Sequence, residues 1–227
     1  MGTAAKRNHK VQILGQSISR NSLLLGMFAL GTTLLISATY LLTKDRIALE
    51  QRKAEEKALL EIVPASRHDN SMLDDTIAVD AATKGLSLRN AKQIYLARQN
   101  GKAVAAVIPV LAPDGYSGDI SLIVGVNVDG SIAGVRALKH KETPGLGDYV
   151  DIKKSDWVLG FNGTSLNNPP LAQWAVKKDK GHFDQFTGAT ITPRAVVAAT
   201  LRALQYAQTH RDALFTDKAP EKQGDEQ

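Results

Sequence analysis

Residues 22–43 read SLLLGMFALGTTLLISATYLLT, with no charged side chain among them. As a helix this run reaches about 33 Å at roughly 1.5 Å per residue, enough to cross a hydrocarbon core about 30 Å thick. Gly26, Gly31 and several hydroxyl residues dilute it, as membrane helices commonly tolerate. A buried core helix and a cleaved signal peptide are the competing readings. The apolar region of a signal spans only about 7–15 residues. This run is longer and passes directly into a charged, helix-favouring segment, KDRIALEQRKAEEKALLE at 44–61. It therefore predicts a retained single-pass anchor, so that everything after it folds as a domain tethered at one end.

The flanks set the expected orientation. Lys6, Arg7, Lys10 and Arg20 precede the run with no acid among them, whereas Lys44, Arg46, Arg52 and Lys53 follow it interleaved with Asp45, Glu50, Glu55 and Glu56. Acids count little in the positive-inside rule, and the modest asymmetry places the N-terminus in the cytoplasm and the large domain outside. The formal charge of +5 lies wholly in the five cations that precede Asp45, which leaves 45–227 neutral. A nucleic-acid binder carries its excess charge on the folded domain, so that class is excluded. With 43% hydrophobic residues the chain can build a core, and with no cysteine it has no disulfide, thiolate metal site or cysteine nucleophile.

Beyond 44–61, Pro64 and the polar run 65–71 end the expected helix. Residues 93–98 and 102–111 read as strands joined at Asn100-Gly101, a hairpin signal. The stretches 120–128 and 131–139 follow, joined at Asp129-Gly130. The spacing predicts an antiparallel meander over 93–140. Residues 141–147, KETPGLG, read as a loop, 148–160 as a helix, 161–170 as a loop and Trp174–Lys177 as a short strand. From Pro193 to about Tyr206, apolar residues at 196, 197, 200/201, 204 and 207 mark a helix with one buried face. The fold class is α+β: an antiparallel sheet packed with helices, attached to one N-terminal membrane helix.

The stretch FDQFTGATITPRAVV at 183–197 is the most informative. Thr192 reads as an N-cap and Pro193 as the first helical residue. Thr190 then stands beside the positive end of the helix dipole, and Gly188 and Ala189 leave the backbone open to close approach. Three readings remain open on these residues: a turn and cap only, an anion site assisted by Arg194, Lys177 or Lys178, and a threonine nucleophile. The last lacks a fixed base, since His182 lies eight residues back. No phosphate-binding G-x-x-x-x-G-K-[ST] and no G-x-S-x-G is present.

Asp184-Gln185-Phe186-Thr187-Gly188-Ala189-Thr190 resembles the D-x-x-[ST]-G-A-[ST] pattern of covalent flavin-binding domains. The wider run WAVKKDKGHFDQFTGATITPRAVV, together with KHKETPGLG (139–147) and GYSG (115–118), resembles the G subunit of the Rnf (Rsx) electron-transport complex over 20–207. The C subunit of the sodium-translocating NADH:quinone oxidoreductase shares the domain but is usually longer. The resemblance implies FMN bound to Thr190 through a phosphoester, installed by a flavin transferase with FAD as donor, in a protein that relays electrons. The complex it implies couples NADH and ferredoxin-type electron transfer to ion movement. It implies a cofactor-binding set of Thr190, Thr187, Gly188 and Ala189, with Glu142, Thr143, Leu146 and Tyr116 as the shelf and polar edge for the ring. No catalytic residue and no metal site are expected. His140, His182, Trp157 and Trp174 read as structural, Lys177 and Lys178 as a solvated face, and Asp184 either as a recognition residue for the transferase or as a turn former. A noncatalytic assembly or sensor domain is the rival from another class.

The expected organisation is a cytoplasmic segment 1–21, a transmembrane helix 22–43, a helical stalk and linker 44–70, a periplasmic FMN-binding domain 71–207, and a polar, disordered tail 208–227. The expected location is a bacterial inner membrane, single-pass. The expected partners are the other membrane proteins of the complex, the flavin transferase during maturation, and lipid.

Overall fold

The computed structural model describes residues 3–217; residues 1–2 of the expected cytoplasmic segment and 218–227 of the expected tail lie outside the described residues. The chain divides into two units, 1–53 and 54–227.

The first unit is helical throughout its described length, as part of α1 (Thr3–Ile62). The candidate span, Arg20–Ile62, is long and apolar enough to cross a membrane, with a mean hydropathy of 1.7 in its most apolar stretch. None of that stretch is buried, which argues against a core helix. The hydroxyls that dilute the run are satisfied within the helix: Thr39 Oγ1 donates to the Leu35 carbonyl at 2.8 Å and Thr43 Oγ1 to the Thr39 carbonyl at 2.8 Å. Such back-bonding lets a hydroxyl sit in an apolar medium without an unmet donor.

The second unit is built on a five-stranded antiparallel sheet in the order β1-β2-β3-β4-β5. The strands are β1 (Thr76–Val79), β2 (Lys92–Gln99), β3 (Lys102–Gly115), β4 (Gly118–Asn127) and β5 (Ile132–Lys139). The four strands from β2 to β5 match the expected meander. Asn100 and Gly101 both take positive φ (52° and 76°), as the tightest hairpin turns require. β1 was not expected: it is short and lies on an edge, and its pairing with β2 (Ile77 opposite Ile94) is non-local.

Apolar residues pack on both faces of the sheet, which explains the nearly continuous apolar runs of β2 and β3. Ile94, Leu96, Ala106 and Ile108 pack in the core shared with α2 (Ile191–Thr209). The alternate residues Tyr95, Ala97, Ala105 and Val107 pack with Leu59, Ile62 and Val63 at the end of α1. A dish of glycines receives that helix end. Gly125 and Gly134 are cross-strand partners, and a Cβ built on Gly125 would overlap Ile62 Cγ2. Arg136 closes the contact, with Nε 3.1 Å from Glu61 Oε2 and Nη2 3.2 Å from the Glu61 carbonyl.

Three expectations need correction. Residues 148–160 form no α-helix but two 3-10 turns, Gly147–Val150 and Asp156–Phe161. Ser155 interrupts them, donating through Oγ to the Tyr149 carbonyl at 2.7 Å and accepting from the Trp157 N–H at 3.3 Å. Such local side-chain bonds compete with a continuous helix. The short strand at 174–177 reduces to a single parallel bridge between Val176 and Phe183. The chain also stays ordered beyond 208: α2 runs to Thr209 and α3 (Arg211–Phe215) buries Leu214 against the main core.

The glycine dish yields a test. Ile62→Ala should cost about 3 kcal/mol through the cavity it leaves. Gly125→Ala should cost roughly 2 kcal/mol through overlap. The double variant should cost clearly less than the two combined, because the new methyl occupies the space that Ile62 vacates. Urea unfolding of the full chain in detergent, followed by the circular dichroism of the sheet, measures all three.

Candidate functional site

Three segments far apart in sequence meet at one buried side chain. Glu142 is 5% exposed. Its Oε1 accepts the Ser117 N–H at 2.9 Å, in the turn between β3 and β4, and its Oε2 accepts the Thr192 hydroxyl at 2.5 Å, in the first turn of α2. Two glycines make room for it. A Cβ on Gly115 would lie 2.9 Å from Glu142 Oε1, and one on Gly147 would lie 2.6 Å from Oε2 and 2.9 Å from Thr192 Oγ1. GYSG, ETPGLG and the start of α2 are thus fastened to a single carboxyl.

This geometry changes two expected roles. Glu142 was expected to meet a ring edge, yet both its oxygens are engaged and it is covered. Thr192 was expected to be the N-cap, yet it lies inside α2 and its hydroxyl is fully buried on Glu142. The helix begins two residues earlier than the sequence suggested, with Thr190 in the cap position. Pro193 is still accommodated, because an N–H in the first helical turn has no carbonyl to meet.

Thr190 is an unusual cap. Its backbone is helical (φ −77°, ψ −26°) rather than extended, and its side chain makes no capping hydrogen bond. A capping hydroxyl ordinarily accepts from the second or third N–H of the helix. Here the third position is Pro193, which has no N–H to give, and the Thr192 N–H at the second position makes no bond to the Thr190 side chain. The Thr190 hydroxyl is therefore left uncommitted at the positive end of α2, on a half-buried residue.

The flanking loop is shaped by Gly188 (φ 79°) and by the Ala189 N–H, which donates to the Phe186 carbonyl at 3.1 Å. Beneath it lies an aromatic floor. Phe186 meets Tyr149 edge-on at 5.6 Å and Trp157 at 5.1 Å, and Trp157 donates Nε1–H to the Asp184 carbonyl at 2.9 Å. Facing it is the 142–147 loop. Gly145 takes φ 74°, its N–H donates to Asp148 Oδ1 at 2.7 Å, and the Thr143 carbonyl accepts from the Leu146 and Gly147 N–H groups at 3.1 Å. Leu146 Cδ2 lies 3.6 Å from where a Cβ on Gly188 would be, so the two loops touch.

The structure brings Thr187, Gly188, Ala189 and Thr190 together with Leu146. Tyr116 is 68% exposed, Leu146 42% and Tyr149 38%, and Ile191, which follows Thr190 in the chain, is exposed as well. Thr143 is exposed on the same loop as Leu146. Two of the expected cationic helpers are engaged: Lys177 Nζ is 2.6 Å from Asp184, and Arg194 grips Asp179 through Nε at 2.5 Å and Nη2 at 2.6 Å. The Arg194 guanidinium holds the Asp179 carboxyl below the usual range. Lys178 is exposed, and its N–H donates to Gln185 Oε1 at 3.1 Å. Sequence reasoning missed Asp148, Tyr149 and the partnership of Thr192. Only Asp148 left a trace, as the acid that closes P-G-L-G-D.

The Glu142 junction is testable. Glu142→Ala should destabilise the domain by about 2 kcal/mol, since it strands the buried Thr192 hydroxyl and removes the acceptor that fixes the exposed Ser117 turn. Glu142→Gln should cost less, because an amide carbonyl still accepts from Ser117 and the amide nitrogen can donate to the Thr192 oxygen. Thermal unfolding of the two variants distinguishes them.

Comparison with known proteins agrees with this geometry. The FMN-binding domain family matches residues 115–205, which span every segment that meets at Glu142 and Thr190. The RnfG N-terminal region family matches residues 10–62. The G subunit of the ion-translocating oxidoreductase complex from Pseudomonas aeruginosa is 50% identical over 206 residues, covering 91% of this chain and 94% of that one. The corresponding proteins of Aliivibrio fischeri (47% over 200 residues, 88% and 95% covered) and Shewanella loihica (44% over 204 residues, 90% and 96% covered) carry the same description. The alternative, the C subunit of a quinone reductase, gives way to these matches at both ends of the chain. This chain belongs to the G-subunit family of ion-translocating oxidoreductase complexes, and it carries that family's FMN-binding domain.

Proposed function

We propose that the Thr190 hydroxyl oxygen carries FMN through a phosphoester and that the chain relays electrons within an Rnf-type complex. The observation that carries this reading is the uncommitted hydroxyl of Thr190 at the start of α2. The residues fit the group. A phosphodiester keeps one negative charge, and the first turn of α2 offers a positive dipole end with N–H groups that have no helical partner. Gly188 and Ala189 let the backbone approach closely, and the exposed Leu146, Tyr116 and Thr143 supply an apolar and polar shelf for a flat ring.

When bound, FMN supplies reversible electron uptake and release. The chain supplies attachment, position and access. Thr190 holds the phosphate end, Leu146 and Tyr116 offer surface to the ring, and Thr143 offers it a hydroxyl. Glu142 works from behind, holding the loops to the start of α2. Attachment takes FAD as donor and a flavin transferase as partner. Thr190 Oγ gains the bond to the flavin-side phosphorus and gives up its proton, the pyrophosphate link breaks, and AMP leaves. Asp184, paired with Lys177 on the surface, is available for recognition by the transferase.

In this reading α1 anchors the chain in a bacterial inner membrane with the N-terminus in the cytoplasm and the 71–207 domain in the periplasm. The other membrane proteins of the complex are its redox partners, and the assembly couples NADH and ferredoxin-type electron transfer to ion movement. A covalent bond suits that side of the membrane, where a dissociated cofactor is lost by dilution.

Denaturing gel electrophoresis under ultraviolet light tests the reading against a noncatalytic assembly domain. Protein from cells with an active transferase should give a flavin-fluorescent band, which Thr190→Ala should abolish and Thr190→Ser should keep. A dark wild-type band, or a fluorescent Thr190→Ala band, would overturn it.

A further inference from the structure

The sheet face that receives the end of α1 is only partly covered by it. Leu59 and Ile62 pack with Ala97, Ala105 and Val107, and toward the β3–β4 turn the same face opens into a trough of about 530 Å3. That volume lies within the range of about 300–1,000 Å3 usual for ligand sites. Its floor is formed by residues on that face, among them Tyr95, Pro109, Leu111 and Ile123. Glu55 forms one wall and accepts a hydrogen bond from the Tyr95 hydroxyl. None of residues 187–190 lines the trough, which approaches the flavin site only through the back of the Glu142 junction, at Ser117, His140 and Lys141.

The charge of the trough is one-sided. Its two acids are both occupied: Asp119 accepts from Arg89 Nε and Nη2 at 3.0 Å each, and Glu55 is engaged by Tyr95. Lys92, Lys139 and Lys141 line the same space, and among the described residues none of the three has an ion-pair partner. An apolar floor beneath three unneutralised lysines asks for a ligand with an apolar body and an anionic head. A strand-forming peptide is a poor match. β2, β3 and β4, which provide the floor, are each already paired on both sides and offer no free backbone edge.

We propose that this trough binds the headgroup and first methylenes of an anionic phospholipid. Lipid is the occupant favoured by the chain itself, which carries a helix long and apolar enough to cross a membrane. Lysines near a bilayer surface are drawn to anionic headgroups, and the apolar floor adds burial of the acyl root. The site does not depend on flavin attachment.

Native mass spectrometry of the full chain, released from detergent with equal amounts of phosphatidylglycerol and phosphatidylcholine, tests this. The wild type should retain phosphatidylglycerol at least about tenfold in preference, and the Lys92→Gln, Lys139→Gln, Lys141→Gln triple variant should fall to within about twofold, given the pull of each lysine on anionic lipid. Ser121→Trp, which fills the trough with its charges intact, should lose the preference as well. Lipid held nonspecifically around α1 is common to all variants and cancels. Equal retention of the two lipids by the wild type overturns the proposal, as does a preference that survives both variants. Full displacement by millimolar inorganic phosphate reduces the trough to a bare anion site and also overturns it, and so does displacement by a polyglutamate peptide.

Discussion

The buried carboxyl of Glu142 is the constraint on which the site depends. Each of its two hydrogen bonds contributes only about 0.5–1.5 kcal/mol net, but leaving a buried donor unmet costs roughly 1–3 kcal/mol. That asymmetry couples the three segments. The β3–β4 turn cannot leave without stranding the buried Glu142 Oε1, and α2 cannot shift without stranding the Thr192 hydroxyl. Gly115 and Gly147 are part of the same device, since a side chain at either position would crowd the carboxyl.

With Thr192 drawn inward, Thr190 is left at the surface end of the helix. Its helical backbone and the proline at the third helical position both keep its hydroxyl out of the usual capping bond. A residue that ordinarily stabilises a helix start is thereby available for chemistry. The aromatic floor of Phe186, Tyr149 and Trp157 and the bond from Trp157 to the Asp184 carbonyl hold the loop that presents it. On the opposite face, the sheet receives the end of α1 on its glycine dish. One sheet therefore carries both the end of α1 and the loops of the candidate flavin site.

Much of this was legible in the sequence, and what was not has physical reasons. The meander from β2 to β5 follows from apolar strands punctuated by Asn100-Gly101 and Asp129-Gly130, signals that act over a few residues. β1 escaped because a four-residue edge strand is set by its partner, not by its own pattern. The helix expected over 148–160 failed because Ser155 spends its hydroxyl on nearby backbone. Thr187 to Thr190 stood out as a loop entering a helix, and the resemblance singled out the same residues. The role of Glu142 did not stand out, because a lone glutamate in a Gly-Pro loop reads as solvated until the turn at 115–118 and α2 are folded over it. Thr192 was misplaced for the same reason: its preference for a cap was overridden by a carboxyl fifty residues away in sequence.

The central claim is that Thr190 bears the flavin at the opening of α2. The most direct measurement is tandem mass spectrometry of the peptide spanning Phe183–Arg194, from protein isolated out of membranes of a host that has the transferase. The account predicts a peptide heavier by FMN less one water, with fragment ions that place the addition on residue 190 and not on Thr187 or Thr192. A peptide of unmodified mass, or an addition mapped to another residue, would contradict it.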